Sequence, residues 1–489
     1  MGVIISEVTK IKRKMMMEFA KLALQNRLLS EIDFLPKKLT KEGFTNYRCC
    51  EYKERAVLSE RIKLLLGVIL AEHKDQRLSE VLRSVIENPS IYERTSANLI
   101  NVIEESCDRC PIEKIVVTDA CRNCVAHHCL NSCPKKAIEF VGNRAYINKE
   151  RCVECGICVK SCHFGAILEL ERPCSRACDV SAIEPGENST AQINGERCVE
   201  CGACISACPF GAISSRSDFF KAIRLLQSGH PVAALVAPSF VGQFGPLVDW
   251  GMLQAGLVQL GFHQVVPVSE GAAIVAEEEG TEICQRLKNG DGYLLNSCCP
   301  AFKRFVQLNY PSIYDRHISN TESPMLKTAR LVKQKTLGTD TKCVFIGPCI
   351  AKQGEAAREG QDLIDAVITF EELAAILVAA NINLAEANGT RTTVHSLSKA
   401  GLGFCLSGGV GNAVREQITK EKGGLDKEIG VVTAAGISNC DQILKKAAEN
   451  TLEAEFLEGM GCPGGCIGGP GTLVDGKTAT RALSRIVTK

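Results

Sequence analysis

Aromatic side chains are scarce: Phe, Tyr and Trp make up 5% of the 489 residues, with one tryptophan. Surfaces that stack unpaired bases need such platforms, so the scarcity argues against single-stranded nucleic acid as a ligand. A charge excess of one sign is also missing. Lys and Arg number 57 against 56 Asp and Glu, a formal net charge of +1, so there is no electrostatic footprint for a phosphate backbone. No unbroken apolar run reaches about 18 residues, and no membrane span is expected. The opening MGVIISEVTKIKRKMMMEFAKLALQN scatters charges and offers no apolar core for a secretory leader. No glycine run stands at a strand-to-helix turn as a nucleotide fingerprint requires; those near 462–471 follow cysteines instead.

What is present in excess is cysteine, at 27 residues. Disulfide scaffolds are usually short secreted chains. In a reducing compartment, clustered cysteines point to metal, so a cytoplasmic location is expected. The chain has three parts. Residues 1–105 read as a helical N-terminal region, because ERAVLSERIKLLLGVILAEHKDQRLSEVLRSVIENPS repeats apolar residues at helical spacing until ENPS stops it. Cys49 and Cys50 lie there without ligand spacing. Residues 106–215 carry a cysteine repeat. Residues 216–489 begin with a connecting helix in SDFFKAIRLLQSGH. They then alternate short apolar strands, such as PVAALVAPS, GYLLNSC and CVFIGPC, with helical stretches, the α/β signature.

The repeat reads CVECGICVKSCHFGAI, with Cys152, Cys155, Cys158 and Cys162, and CVECGACISACPFGAI, with Cys198, Cys201, Cys204 and Cys208. Both have the spacing of bacterial ferredoxins, in which three thiolates wrap one 4Fe-4S cubane and the fourth reaches a partner cluster. CRNCVAHHCLNSCPKKAI is a variant with Cys121, Cys124, Cys129 and Cys133. Zinc also takes C-x2-C pairs, but with longer gaps between pairs; the trailing prolines and GAI favour iron–sulfur. Cys107 and Cys110 form a lone C-x2-C, and Cys174 and Cys178, in RPCSRACDVSAI, a lone C-x3-C. Joined, they make a fourth motif split by an insertion.

The expectation is therefore a nested arrangement, with an inner pair over about 118–168 inserted in an outer pair. Cys121, Cys124 and Cys129 with Cys162, and Cys152, Cys155 and Cys158 with Cys133, form the inner pair. Cys107, Cys110 and Cys174 with Cys208, and Cys198, Cys201 and Cys204 with Cys178, form the outer pair. The competing reading leaves Cys107 and Cys110 as ordinary cysteines. About four accessory cubanes result, with His127, His128 and His163 near the ligands rather than among them. Such a wire needs a terminus.

Three further motifs lie in the α/β part: NSCCPAF, IGPCIAKQGEA and EGMGCPGGCIGGPG. In order and spacing they resemble the signatures of the iron-only hydrogenases over roughly 105–489. The resemblance implies a two-lobed α/β catalytic domain over 216–489, so that the whole is an α+β multidomain chain: helical region, nested ferredoxin-like domains, catalytic domain. It implies an H-cluster, a cubane linked to a two-iron subsite with carbon monoxide, cyanide and azadithiolate ligands, and reversible interconversion of hydrogen with protons and electrons. Cys299, Cys349, Cys462 and Cys466 would hold the cubane, and Cys466 would be shared with the two-iron unit.

The adjacent Cys298 would point the other way and relay protons. Glu279, Ser319, Glu282 and Arg286 would carry them outward, although a solvated charged helix also explains the spacing of Glu279, Glu282 and Arg286. Lys352 would meet one cyanide, and Pro238 and Ser239 the other. Ser323 and Met460 are the other residues expected at the cofactor. Maturation enzymes would install the two-iron unit, and ferredoxin or a similar carrier would exchange electrons. A hydrogen sensor, an iron–sulfur assembly relative or a plain electron-transfer protein of the same fold are the alternatives. The chain departs from the usual signatures at Asn296 (threonine elsewhere), Phe302 (tryptophan), Met325 (glutamine), Gly347 (methionine) and Cys405 (glycine).

Overall fold

The computed structural model describes residues 5–40, 47–88, 99–110, 114–335, 340–387, 397–420 and 429–487. The first helix, Glu7–Leu24, begins where the Ser6 hydroxyl accepts the Thr9 backbone N–H, satisfying a donor that has no partner within the helix. The long periodic run that follows is not one helix. It forms helices Glu51–Leu65 and Leu78–Glu87 with a 3-10 turn, Leu70–His73, between them. Gly67, at φ 82°, takes the left-handed conformation just past the first of these. The second helix stops at Glu87, and the Pro and Ser of ENPS lie outside the described residues. Its inward stripe of Leu78, Val81, Leu82 and Val85 is buried.

One strand departs from the expected helical region. Ile100–Val102 pairs antiparallel with Ile213–Ser215, so it closes the cysteine-rich body rather than extending the helices. Three residues are too few to show a period, which hid it in the sequence.

The cysteine-rich part is two bodies, one within the other. In the inner one, Ile115–Val117 pairs with Ile167–Glu169 around a hairpin of Ile138–Val141 and Arg144–Ile147. In the outer one, Ile100–Val102 and Ile213–Ser215 flank a hairpin of Ile183–Pro185 and Ala191–Ile193. Each body has its own apolar cluster. The closing Ala-Ile of all four copies is buried: Ala137-Ile138, Ala166-Ile167, Ala182-Ile183 and Ala212-Ile213. In every copy the alanine N–H donates to the fourth cysteine's Sγ, at 3.3 Å to Cys133, 3.3 Å to Cys162, 3.2 Å to Cys178 and 3.3 Å to Cys208. The split copy thus makes the same turn as the intact ones.

The α/β part has two parallel sheets. One runs Gln264–Pro267, Val232–Val236, Lys342–Gly347, Ala366–Thr369. The other runs Leu294–Leu295, Phe456–Met460, Val431–Ala435. Val232–Val236 is buried at every position, as a strand covered by helices on both faces must be. The Ser269–Asn289 helix packs against Pro324–Lys335 and Gly409–Lys420. The three cysteine motifs follow the carboxyl ends of strands, where open parallel sheets gather their sites. The N-terminal helix lies on Phe370–Ala379 and Phe219–Leu226. Phe19 packs there against Phe219 and Phe220, and Arg13 pairs with Glu371 at 2.7 Å. Among the described residues no helix is long and apolar enough to cross a membrane.

Candidate metal–thiolate site

Cys299, Cys349, Cys462 and Cys466 come together from three loops around one cavity. Their proximity shows in their electrostatics. Burial pushes Cys349 up, and the Cys299 and Cys466 thiolates push it further. Burial also raises Cys462, with Cys349, Cys299 and Cys466 adding to it. Cys466 is pushed up to about 12, by burial and then by Cys299. Four thiolates around one space would be mutually repulsive, and positive charge between them would relieve that.

Other lining groups also fit an anion-bearing iron cluster. The Ser239 hydroxyl, beside Pro238, is buried with no hydrogen-bond partner, which costs roughly 1–3 kcal/mol unless something in the cavity accepts from it. Lys352 Nζ is held by Glu355 at 2.6 Å, Ser323 Oγ at 3.0 Å and the Cys298 carbonyl at 3.3 Å. Burial lowers its pKa, but Glu355 with Cys349 and Cys298 outweighs burial, so the ammonium stays charged. Gly465 sits at φ 95°, and a Cβ there would stand 2.6 Å from the Cys405 carbonyl oxygen, so only glycine lets this loop close. Among the described residues no three His, Cys, Asp or Glu side chains are placed to hold one metal ion; the thiols ring a space wider than one ion. The donor set, the cradle and the unpaired hydroxyl fit a cubane with a ligand-bearing neighbour. Cys299, Cys349, Cys462 and Cys466 would hold it, and Ser239 and Lys352 would donate to its acceptors.

The two adjacent cysteines part company. Cys299 packs with the cluster of Leu295, Phe302 and Ile437, and its Sγ accepts the Gly461 N–H at 3.3 Å. Cys298 packs with the cluster on the other side, beside Val275 and Met460. Its Sγ accepts from the Asn296 amide at 3.0 Å, and the Asn296 carbonyl oxygen accepts the Gly459 N–H at 2.8 Å. The asparagine therefore ties Cys298 to the neighbouring strand. The sequence marked Asn296 as a departure without indicating that contact.

The remaining departures are accommodated locally. A Cβ on Gly347 would lie 2.7 Å from the Phe345 ring. Residues two apart share a strand face, so Phe345 fills the space that a longer side chain at 347 would need. Met325 and Cys405 line the cavity, and Cys405 donates to the Leu402 carbonyl at 3.2 Å. Phe302 is fully buried, and a Cβ on Gly459 would come within 2.2 Å of its ring. No room is left for an indole, so Phe302→Trp is expected to cost about 1–3 kcal/mol by overpacking. Urea denaturation of the variant checks this; equal or greater stability would contradict it.

The acid–base residues on the Ser269–Asn289 helix form a partial line. Glu279 is buried and accepts the Ser297 N–H at 3.0 Å; its other oxygen has no partner. Its neighbour is thus Ser297, while Cys298 feels it through charge alone. Ser319 Oγ donates to Glu282 at 2.7 Å, Arg286 stands 3.8 Å from Glu282, and Arg286 also donates to the Arg316 carbonyl. Burial lifts Glu279 from 4.5 to about 8, so the native state keeps a proton there that the unfolded chain has lost. Native stability therefore falls as pH rises through 4.5 to about 8. Glu279→Gln is expected to flatten that slope. Denaturation midpoints of both proteins at pH 5 and pH 8 test it, and parallel slopes would contradict it.

The repeat's thiols also gather in sets. Cys174 is raised by burial and then by Cys208 and Cys110, and Cys110 by burial, then Cys107 and Cys208. Cys129 is raised by burial, with Cys162 and Cys124 contributing, and Cys158 by burial, with Cys152, Cys133 and Cys155 contributing. Cys204 is raised by burial, then Cys201, Cys198 and Cys178. Cys121 lies in the inner apolar cluster with Cys129 and Cys162.

Cys201 lines the terminal cavity itself. The junction is tied by contacts that no motif announced. Arg304 donates to the Cys198 carbonyl at 2.7 Å, and buried Glu200 takes Arg358 at 3.0 Å. Glu458 accepts the Gly408 and Gly411 N–H groups at 2.7 and 2.9 Å. The glutamates at 200, 355 and 458 belong to the quoted motifs, so their positions were available as a signal; Arg304 and Arg358 lay outside any pattern.

Comparison with known proteins finds relatives of parts of this chain. Residues 230–470 match the family described as iron only hydrogenase large subunit, C-terminal domain, and residues 145–168 and 191–214 match the 4Fe-4S binding domain. Iron hydrogenase 1 of Clostridium pasteurianum is 30% identical over 50% of this chain and 50% of its own length. The periplasmic [Fe] hydrogenase large subunit of Nitratidesulfovibrio vulgaris is 30% identical over 46% of this chain and 63% of its own. The cytosolic Fe-S cluster assembly factor NAR1 of Kluyveromyces lactis is 24% identical over 44% of this chain and 60% of its own. The chain thus spans about half to three-fifths of the length of these relatives.

Proposed function

Since this chain belongs to the iron-only hydrogenase family, we propose that it interconverts hydrogen with protons and electrons at the cavity ringed by Cys299, Cys349, Cys462 and Cys466. The observation that carries this reading is the pairing of that four-thiol cavity with a separate thiol, Cys298, on its other side. When bound, a cubane joined to a two-iron unit supplies the redox chemistry. The protein's own residues do the rest. Cys466 would be the thiolate shared with the two-iron unit. Ser239 and Lys352 donate hydrogen bonds into the cavity, and Pro238, Met325, Phe345 and Met460 exclude water from it.

Cys298 holds a proton on Sγ at neutral pH, because burial and the nearby Glu279 raise its pKa. Glu279, at about 8, is matched to exchange that proton near neutrality. Ser319, Glu282 and Arg286 continue the line. The accessory sets hold four cubanes that carry electrons, with the set of Cys178, Cys198, Cys201 and Cys204 next to the cavity and the inner pair farther along the chain of bodies. A ferredoxin or similar carrier exchanges electrons there, and maturation enzymes install the two-iron unit.

The assembly-factor relative favours a second reading, an iron–sulfur protein without turnover. Cys298, Lys352 and Met460, all turned toward the cavity, weigh against it and against a sensor with an altered relay. The test is hydrogen evolution from a reduced viologen by anaerobically matured protein. Turnover well above the unmatured protein is expected; none, with all cubanes loaded, would favour the second reading.

A further inference from the structure

The chemistry above makes no use of the N-terminal helices, yet they bury a cation against one accessory thiol set. Arg61, on Glu51–Leu65, is 4% exposed. One terminal nitrogen donates to the Gly211 carbonyl at 2.7 Å, while its Nε is buried with no hydrogen-bond partner. No carboxylate pairs with it among the described residues. Burial, and then the neighbouring Arg48, disfavour its charge; the group acting in its favour is the Cys208 thiolate. A guanidinium is too basic to shed its proton, and a buried charge without a counter-charge is strongly destabilising.

Two more cations face the same thiol. Arg48 donates to Ser106 Oγ at 2.9 Å and to the Phe210 carbonyl at 3.2 Å, and Lys12 comes from the first helix. Both feel Cys208. Glu371 acts on Lys12, and Glu54 and Asp108 act on Arg48, so these two are partly compensated where Arg61 is not. Ser106 precedes Cys107, and Phe210 and Gly211 follow Cys208: the cations grip both chain ends of one set.

The repeat contains its own comparison. In CHFGAI of the inner body, Phe164 is 57% exposed and a Cβ on Gly165 would meet nothing within 4 Å. In CPFGAI of the outer body, a Cβ on Gly211 would strike Val8 at 2.5 Å and Arg61 at 2.6 Å. The same turn is bare in one body and capped in the other.

We propose that the N-terminal helices are an electrostatic cap whose buried Arg61, aided by Lys12 and Arg48, raises the reduction potential of the cubane held by Cys107, Cys110, Cys174 and Cys208. This rests on those four cysteines binding a cubane. Four thiolates make that group anionic, and one electron accepted from a neighbouring cubane adds one negative charge while the donor loses one. No bond breaks and no proton moves. A nearby cation in a dry setting stabilises the reduced form more than the oxidised, and cubane potentials respond to such charge. The capped cubane becomes the place where an electron rests between the inner pair and the terminal cavity.

The test is a redox titration followed by electron paramagnetic resonance on the full chain, reconstituted anaerobically with iron and sulfide and lacking the two-iron unit. Arg61→Gln is expected to move one accessory component to lower potential by at least tenfold in its reduction equilibrium, about 59 mV for one electron. Iron content should not change, and Arg61→Lys should restore part of the shift. Unmoved potentials at full iron content overturn the cap. If Arg61→Gln loses iron, Lys12→Gln carries the same expectation in smaller measure, and an unmoved potential there overturns the proposal. Cys107→Ser with Cys174→Ser separates the two claims: if the double variant loses no iron, the ligand assignment itself fails.

Discussion

Cys298→Ala is expected to lower the proposed hydrogen turnover by about 10²- to 10⁴-fold, the range for losing a positioned proton donor, and to leave cubane iron unchanged. The size follows from placement. Cys298 is the thiol outside the four-cysteine set that lines the same cavity, packed with the apolar cluster of Met460 and within the influence of Glu279. Alanine fills the same backbone position but has nothing to donate. The Asn296 amide that now donates to Sγ loses its acceptor but keeps the Gly459 carbonyl at 3.4 Å, so the strand contact survives. Turnover and iron are measured on the same preparation. A variant with full iron and near-normal turnover would remove Cys298 from the proton route.

The second large effect is on the cofactor itself. Cys349→Ser is expected to abolish turnover and to remove roughly one fifth of the cubane iron, since in the proposed arrangement one of five cubanes would lose a thiolate ligand. Cys349 sits just past the strand Lys342–Gly347 and is pushed up by Cys299 and Cys466 on top of burial. The accessory signals in electron paramagnetic resonance should persist, because most of their thiols lie in two separate apolar clusters and, of these thiols, Cys201 is the one that lines the cavity. Loss of all signals together would mean instead that the quartet is not an independent site.

Much of this was readable from residue order because cluster chemistry demands local patterns. Three thiolates of a cubane come from one short loop, so Cys152 to Cys162 and Cys198 to Cys208 announce themselves. The split motif was readable through its closing Ala-Ile, which is buried in the fold for the same reason as in the intact copies. What was hidden has no local period. The strand Ile100–Val102 is defined by a partner more than a hundred residues away. Arg61 and Glu200 are ordinary charges in the sequence, and become significant when folding buries the first against a thiol set and the second against Arg358 of a facing helix. Glu279 was expected to take protons from Cys298, but nothing in the sequence indicated that its carboxylate accepts from Ser297. That contact turns on side-chain direction, which spacing along a helix does not specify.

The most direct measurement of the central claim is infrared spectroscopy of anaerobically matured protein. Bound carbon monoxide and cyanide bands that vanish in Cys466→Ser are predicted, since Cys466 is the thiolate assigned to both halves of the cofactor. A fully cubane-loaded protein that shows no such bands after competent maturation would contradict it.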